Sequence, residues 1–292
     1  MHKSVLLQET LKYLNCNKKS VVLDCTIGCA GHANEILKII SPKGKLIGID
    51  ADKDTLGQAE KKIKIFKGSF RLFHKNFVDF DKILDNLSIK EVDAMLFDFG
   101  VSSFQLDDGQ RGFSFKNNGP LDMRMDKTKG VPLWKALENM TEIQIGTIIK
   151  DFGEERQWRR IARAIIEARR IAPIYDSGRL ADTVMSALSR DYSSKINPAT
   201  KTFQAFRIFI NDELHMIKEA LLKAPGFLKK SGRIVVISFH SLEDRIVKRT
   251  FRAFTESDIF KTLTKKPVTA SEHEIFENPR SRSAKLRSAE RI

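Results

Sequence analysis

Residues 21–32, VVLDCTIGCAGH, constrain the fold more than any other stretch of the chain. Val21, Val22 and Leu23 make a short apolar run with no polar alternation, which predicts a parallel strand buried on both faces. Asp24 ends the run. Gly28 and Gly31 then allow a tight turn in which backbone comes close to a ligand. From His32 to Ile40 the residues Ile36, Leu37 and Ile40 recur at helical spacing. Strand, glycine turn and helix are the opening of a nucleotide-binding half. Many α/β proteins use such a turn for structural ends alone, so the rest of the chain has to decide.

The pattern repeats downstream. Lys45–Asp50, KLIGID, reads as a second strand that ends in an acid 22 residues beyond Gly28. A Rossmann-like sheet places there a carboxylate that accepts from two ribose hydroxyls. The competing reading is an Asp that caps the following helix, predicted over 52–66. Residues 69–74 read as a third strand, with Asn76 and Phe77 just past its end, where an adenine can stack on the ring. A helix over 79–87 and a strand over Val92–Asp98 follow, the latter again apolar and again ending in Asp.

The alternation then stops. Residues 107–205 offer no good strand, and the periodicity predicts helices near 133–150, 154–172 and 177–190. In the second of these, Arg156, Arg159, Arg160 and Arg163 lie on one side and Trp158, Ile161, Ile165 and Ile166 on the other. That cationic side is either a solvated face paired with Glu154 and Glu155 or a phosphate-facing surface. One long helix is expected over 197–224, with Phe203, Phe206, Ile210, Leu214, Ile217 and Leu221 as its core stripe. A fifth buried strand, 232–239, leads into a helix starting at Ser241 with Asp244 at its capping-box position. The arginine-rich tail ends as an edge strand. The expected architecture is an α/β sheet domain, residues 1–106 and 206–292, split by a helical insertion at 107–205.

The chain has 292 residues and 51 Lys plus Arg against 37 acids, a net charge of +14 that points to a nucleic-acid partner. No run approaches the ~18 apolar residues of a membrane span, and the N-terminus is too polar for a secretion signal. A cytoplasmic protein is therefore expected, without a membrane partner. Cys16, Cys25 and Cys29 are an odd, low count that suits a reducing compartment. No second Cys or His pair stands at metal-ligand spacing, so no metal is expected.

Asp24, Asp50, Phe77, Asp98 and His240 all fall at carboxyl ends of predicted strands, where open parallel sheets bind ligands. The loop around Gly28 and Gly31 lacks the full G-x-G-x-x-G pyrophosphate seat, which argues against NAD. A Walker lysine is missing too, which argues against ATP hydrolysis. S-adenosylmethionine carries no phosphate and tolerates this loop, and acids suit its positive charges.

Several long motifs, in order, resemble the MraW-type ribosomal RNA small-subunit methyltransferases, over nearly the whole chain. They are DCTIGCAGH (24–32), DFGVSSFQLD (98–107), RGFSF (111–115), GPLDMRMD (119–126), GEER with RIARAI (153–165), NPATKTFQAFRIFIN (197–211), SFHSLEDRIVK (238–248) and residues 278–291. The resemblance implies a class I (Rossmann-like) S-adenosylmethionine-dependent methyltransferase sheet with an inserted helical domain. It also implies methyl transfer to a cytosine N4 amine in 16S rRNA, naked or in the small ribosomal subunit. By this resemblance the cofactor contacts are Ala30, Gly31, His32, Asp50, Phe77, Asp98 and Gln105. Ala30 stands where the family usually has Gly, Phe99 for Leu, Phe104 for Pro and Asn197 for His. Ala30 adds a methyl group to the cofactor loop.

An amine whose lone pair is delocalised into the ring needs a hydrogen-bond acceptor on its N–H. Asp98, ending the fourth strand, is the candidate catalytic acceptor by position, although the resemblance gives it to the cofactor. Cytosine C5 chemistry requires a nucleophilic Cys, and all three cysteines precede residue 30. The readings left open are a DNA amino-methyltransferase and a catalytically silent RNA-binding or ribosome-assembly factor.

Overall fold

A computed structural model describes residues 3–188, 197 and 199–292. The chain divides into two compact units, Met1–Gly100 with Leu214–Ile292, and Val101–Glu213. The first is a sheet unit. Its helices are α1 (Leu7–Leu14), α2 (Gly31–Ile40), α3 (Lys53–Ile63) and α4 (Phe80–Asn86) in the N-terminal half. Its strands there are β1 (Val21–Asp24), β2 (Lys45–Asp50), β3 (Phe70–His74) and β4 (Val92–Asp98). The second unit holds α5 (Ser103–Asp107), α6 (Leu133–Asn139), α7 (Glu142–Gly153), α8 (Trp158–Ile171), α9 (Ser177–Ala187) and α10 (Ala199–Asn211). After α11 (Glu213–Lys223) the sheet unit resumes with β5 (Leu228–Ser238), α12 (Ser241–Glu256), β6 (Phe260–Thr262), β7 (Val268–Thr269), α13 (Glu272–Glu277) and β8 (Lys285–Arg291).

The strand order is β3-β2-β1-β4-β5-β8-β6, with β7 also paired to β8. The first five strands are parallel, and β8 runs antiparallel to β5, β6 and β7. Alternate residues of the central strands enter two separate cores, as a period of two requires. Met95, Phe97, Ile234 and Val236 join α4, α11 and α12 on one face. Ala94, Leu96, Val235 and Ile237 join α1, α2 and α3 on the other. That two-sided burial explains why these strands read as unbroken apolar runs. At Gly48 in β2 a Cβ would lie 2.4 Å from Ile27 Cδ1 and 2.8 Å from Leu72 Cδ2. The chain leaves β1 toward β2 on one side and reaches β4 on the other, so β1/β4 is the topological switch point.

Several sequence expectations need correction. Residues 133–150 form two helices, because Met140 is extended and Thr141 opens α7 with a capping box to Gln144. The helix expected from 154 begins at Trp158. Glu154 is left-handed at the end of α7, and Glu155 is buried against Lys201 rather than solvated. The long helix expected over 197–224 breaks at Asp212, φ +49°. On either side of the break Arg207 grips Glu213 through two hydrogen bonds of 2.8 Å. Its apolar stripe therefore serves two cores: Phe203 and Phe206 in the helical unit, Ile217 and Leu221 in the sheet unit. At α12 the N-cap is His240, paired with Glu243, while Asp244 is held by Arg287. The C-terminal strand is not an edge, since β5 flanks it on one side and β6 and β7 on the other. Within the described part of 107–205 the only strand-like pairing is a single bridge, Pro120 to Asp176. Among the described residues no helix is long and apolar enough to cross a membrane.

Candidate active site

Three parallel strands, β1, β2 and β4, each end in an aspartate, and the loop after β1 is stitched to all of them. Cys25 N–H donates to Leu96 O and Ile27 N–H to Ile49 O, both at 2.9 Å. Gly28, at φ +52°, turns its N–H onto Asp50 Oδ2 at 2.9 Å. Asp50 Oδ1 accepts a second N–H from Asp52 at 2.9 Å. The helix cap is Asp52, which accepts from Asp54 and Thr55. Asp50 is thus a loop clamp and not the cap of α3. Each of its oxygens keeps a second lone pair for a donor.

Ala30 adopts the left-handed conformation, φ +57°, at the N-cap of α2, and its N–H donates to Ile27 O at 2.8 Å. Its methyl group is fully buried. The backbone here is one that glycine adopts more cheaply. At Gly31 a Cβ would fall 2.0 Å from the Ser4 hydroxyl, so the N-terminal segment lies directly against the loop.

His32 Nε2 is 2.9 Å from Val5 O, and its Nδ1 is 3.5 Å from Asp98 Oδ2. A carbonyl only accepts, so Nε2 carries hydrogen. Nδ1 faces the Asp98 carboxyl, and the two form an ion pair whenever the imidazole is protonated. Asp98 N–H donates to Thr26 Oγ1 at 2.6 Å, and Asp98 Oδ1 is buried with no hydrogen-bond partner among the described residues. Phe77 is half-buried in an aromatic group, its ring 6.2 Å from Phe97 and 5.8 Å from Phe99.

The electrostatics of these strand ends are uniformly acidic. Burial pushes Asp24 up to about 7, against a Thr26 N–H bond that lowers it, and the Asp50 charge adds to the rise. Burial likewise raises Asp50 to about 6, countered by its two N–H bonds. Asp98 is raised well above the usual carboxylate range, first by burial and then by the charges of Asp24 and Glu243. A cation would bring all three back down. Among the described residues, no three His, Cys, Asp or Glu side chains converge to hold a metal ion. The donor set suits an organic cation, such as the sulfonium and ammonium of S-adenosylmethionine.

A model of the MraW methylase family matches residues 1–292. The chain belongs to the MraW methylase family. Its MraW relatives include the ribosomal RNA small subunit methyltransferase H of Persephonella marina, 47% identical over 292 residues, covering 100% of this chain and 99% of the relative. The protein of the same name from Halothermothrix orenii is 43% identical over 307 residues, covering 100% and 98%. A crystal structure of a candidate rRNA methylase from Clostridium thermocellum superposes with a TM-score of 0.51 at 13% identity, over 100% of both chains. At that identity the likeness shows the fold alone. It agrees with the class I methyltransferase order of five parallel strands followed by an antiparallel one.

The MraW sheet unit brings together Ala30, Gly31, His32, Asp50, Phe77 and Asp98 at the carboxyl ends of β1 to β4. Gln105 belongs to the helical unit. There it closes a capping box on α5, its Oε1 accepting from Ser102 N–H at 2.8 Å. Two residues escape the sequence reading. Thr26 supplies the acceptor for the Asp98 N–H, and a lone Thr in a loop gives no pattern to find it by. Glu243 is fully buried, and its Oε2 accepts from Phe239 N–H at 2.7 Å. Its signal is His240-x-x-Glu243, one residue ahead of the Ser241-x-x-Asp244 frame.

Proposed function

We propose that the chain methylates the exocyclic N4 amine of a cytosine in small-subunit ribosomal RNA, with S-adenosylmethionine as donor, in the cytoplasm. The observation that carries this reading is the carboxylate group Asp24, Asp50, Asp98 and Glu243, gathered at the strand ends of a methylase-family sheet. Membership of the family and the names of its relatives support a small-subunit ribosomal RNA substrate, and the N4 position is what the motif resemblance implies.

When bound, S-adenosylmethionine supplies an electrophilic methyl group on a positively charged sulfur. Asp50, its two oxygens already aligned by the Gly28 and Asp52 amides, accepts from ribose hydroxyls. Phe77 offers a ring face to the adenine. Ala30, Gly31 and His32 form the floor at the start of α2, and Gln105 joins this set on the family resemblance alone. Asp98 carries two roles. Its charge faces the cofactor's cation, and its unpartnered Oδ1 is an acceptor for an amine N–H. His32, anchored to Val5 O, sets the position of the Asp98 carboxyl from its other ring nitrogen. Positioning of this kind supplies a large part of the rate enhancement in such transfers.

The thiols support amine rather than C5 chemistry. Burial, with Asp93 adding, pushes Cys16 up to about 12. Burial first and neighbouring aspartates second raise Cys25 and Cys29 as well, although Lys62 pulls against the rise at Cys29. None is a ready thiolate nucleophile.

The test is mass spectrometry of ribosomal RNA incubated with the protein and methyl-labelled cofactor. Label on cytosine N4 is expected. Label on C5, or only in DNA, refutes the assignment. Titration calorimetry with S-adenosylmethionine separates the silent-factor reading: absence of binding would sink the enzyme.

A further inference from the structure

The buried face of α8 is Ile161, Ala162, Ile165 and Ile166, packed in the core of the helical unit. Its other face exposes Arg159, Arg160 and Arg163. These line a groove of about 380 Å³ together with Glu167, Ser186 and Ala187 at the end of α9. We propose that this arginine groove binds the phosphate backbone of the RNA substrate. The inference rests on the RNA reading above and assigns it a surface.

How the three guanidiniums are held favours a ligand over a simply solvated face. Arg159 lies 4.3 Å from the centre of the Trp158 ring. The same ring packs on Gly146 of α7, where a Cβ would come 2.8 Å from ring carbons. A cation–π contact positions the guanidinium without using its N–H donors, all of which remain for planar recognition of phosphate. Arg160 spends one donor on Gln157 Oε1 at 3.3 Å. Arg163 is 3.9 Å from Glu142 Oε1, beyond hydrogen-bond reach. The acid that helical spacing offers to Arg159, Glu155, is buried and turned to Lys201 and the Gln157 N–H. Glu167, four residues beyond Arg163, is the only carboxylate lining the groove and forms no ion pair with that arginine among the described residues. Sequence spacing groups Arg156 with these three arginines. Arg156 precedes the helix and does not line the groove.

The experiment compares wild type with an Arg159→Gln, Arg160→Gln, Arg163→Gln variant. Binding to a small-subunit rRNA hairpin with an unpaired cytosine is measured across a salt series. Each phosphate contact on a single strand contributes about 0.7 to the slope of log K against log salt, so the slope should fall by about 2. Affinity near ~0.1 M salt should fall on the order of 100-fold. The Arg→Lys triple variant should keep the slope, because charge is retained. Calorimetry with S-adenosylmethionine and circular dichroism verify that the variants are folded. A triple Lys18→Gln, Lys19→Gln, Lys43→Gln variant, at exposed sites of the sheet unit, is the comparison. An unchanged slope in the arginine variant, or an equal loss in the lysine one, overturns the groove. Wild type that methylates RNA while the arginine variant binds normally refutes the groove alone. Wild type that neither binds nor methylates RNA refutes the substrate reading with it.

Discussion

Replacing Asp24 with Asn should make the protein more stable at pH 8 than at pH 5, relative to wild type. Asp24 is 1% exposed, and its carboxyl titrates at about 7 in the folded chain against the ordinary aspartate value of 3.8. Between those values the folded state holds a proton that the unfolded state has released. Wild-type stability therefore falls as pH rises through this window and levels off above about 7. Each unit of pH in the window is worth about 1.36 kcal/mol, so going from pH 5 to pH 8 costs wild type about 3 kcal/mol at this one site. Asn keeps an oxygen for the Thr26 N–H and carries no charge, so it escapes that cost. The amide's own unpaired N–H groups cost about 1–3 kcal/mol at either pH and cancel in the comparison. Asp98 also loses a repelling neighbour, which acts in the same direction. Urea unfolding at the two pH values and constant ionic strength measures the swing. A gap between wild type and variant that moves by less than about 0.5 kcal/mol, or in the opposite sense, would refute the account of Asp24 as a strained carboxylate. The same substitution should weaken S-adenosylmethionine binding, since the charge that destabilises the free protein is the one that attracts a cation.

Three further substitutions test other parts of the site and fold. Thr26→Val leaves the Asp98 N–H without its acceptor at 2.6 Å, and should cost about 1–3 kcal/mol in chemical denaturation while Thr26→Ser restores it. Ala30→Gly should shift stability by less than about 1 kcal/mol. Relief of the left-handed alanine, about 1 kcal/mol, nearly balances the loss of one buried methyl group, about 0.8 kcal/mol; a melting-temperature change of more than several degrees would contradict that balance. Arg111 is 1% exposed and donates through Nη2 to Arg124 O and Met125 O, each at 3.0 Å. Arg111→Leu should destabilise the helical unit by about 3 kcal/mol or more, read as lost protection in hydrogen exchange of α7, α8 and α10; intact protection there would count against it.

The strands and the cofactor loop are legible in the chain alone, because both depend on local chemistry. Short apolar runs that end in Asp read as central parallel strands, and β2 and β4 begin and end where that pattern places them. Asp24, Asp50, Phe77, Asp98 and His240 can be picked out for the same reason, since a parallel sheet carries its carboxyl ends to one edge, whereas Ala30, Gly31 and His32 are named by the family resemblance. Packing decides the rest, where two local signals compete or where a partner is distant in the chain. The periodicity through 197–224 is unbroken, yet Asp212 turns left-handed, because the stripe has to bury itself in two different cores. Ser241 and His240 both offer a capping frame for α12. Arg287, 43 residues away from Asp244, claims that acid and leaves the capping box to His240 and Glu243. The tail joins the sheet as an interior strand because β6 and β7 cover its far side, which no property of residues 285–291 announces. Thr26 and Glu243 acquire their meaning only next to Asp98, 72 residues from one in sequence and on a different strand's end from the other. Their contributions are set by burial and distance, and a linear sequence encodes neither until the chain has packed.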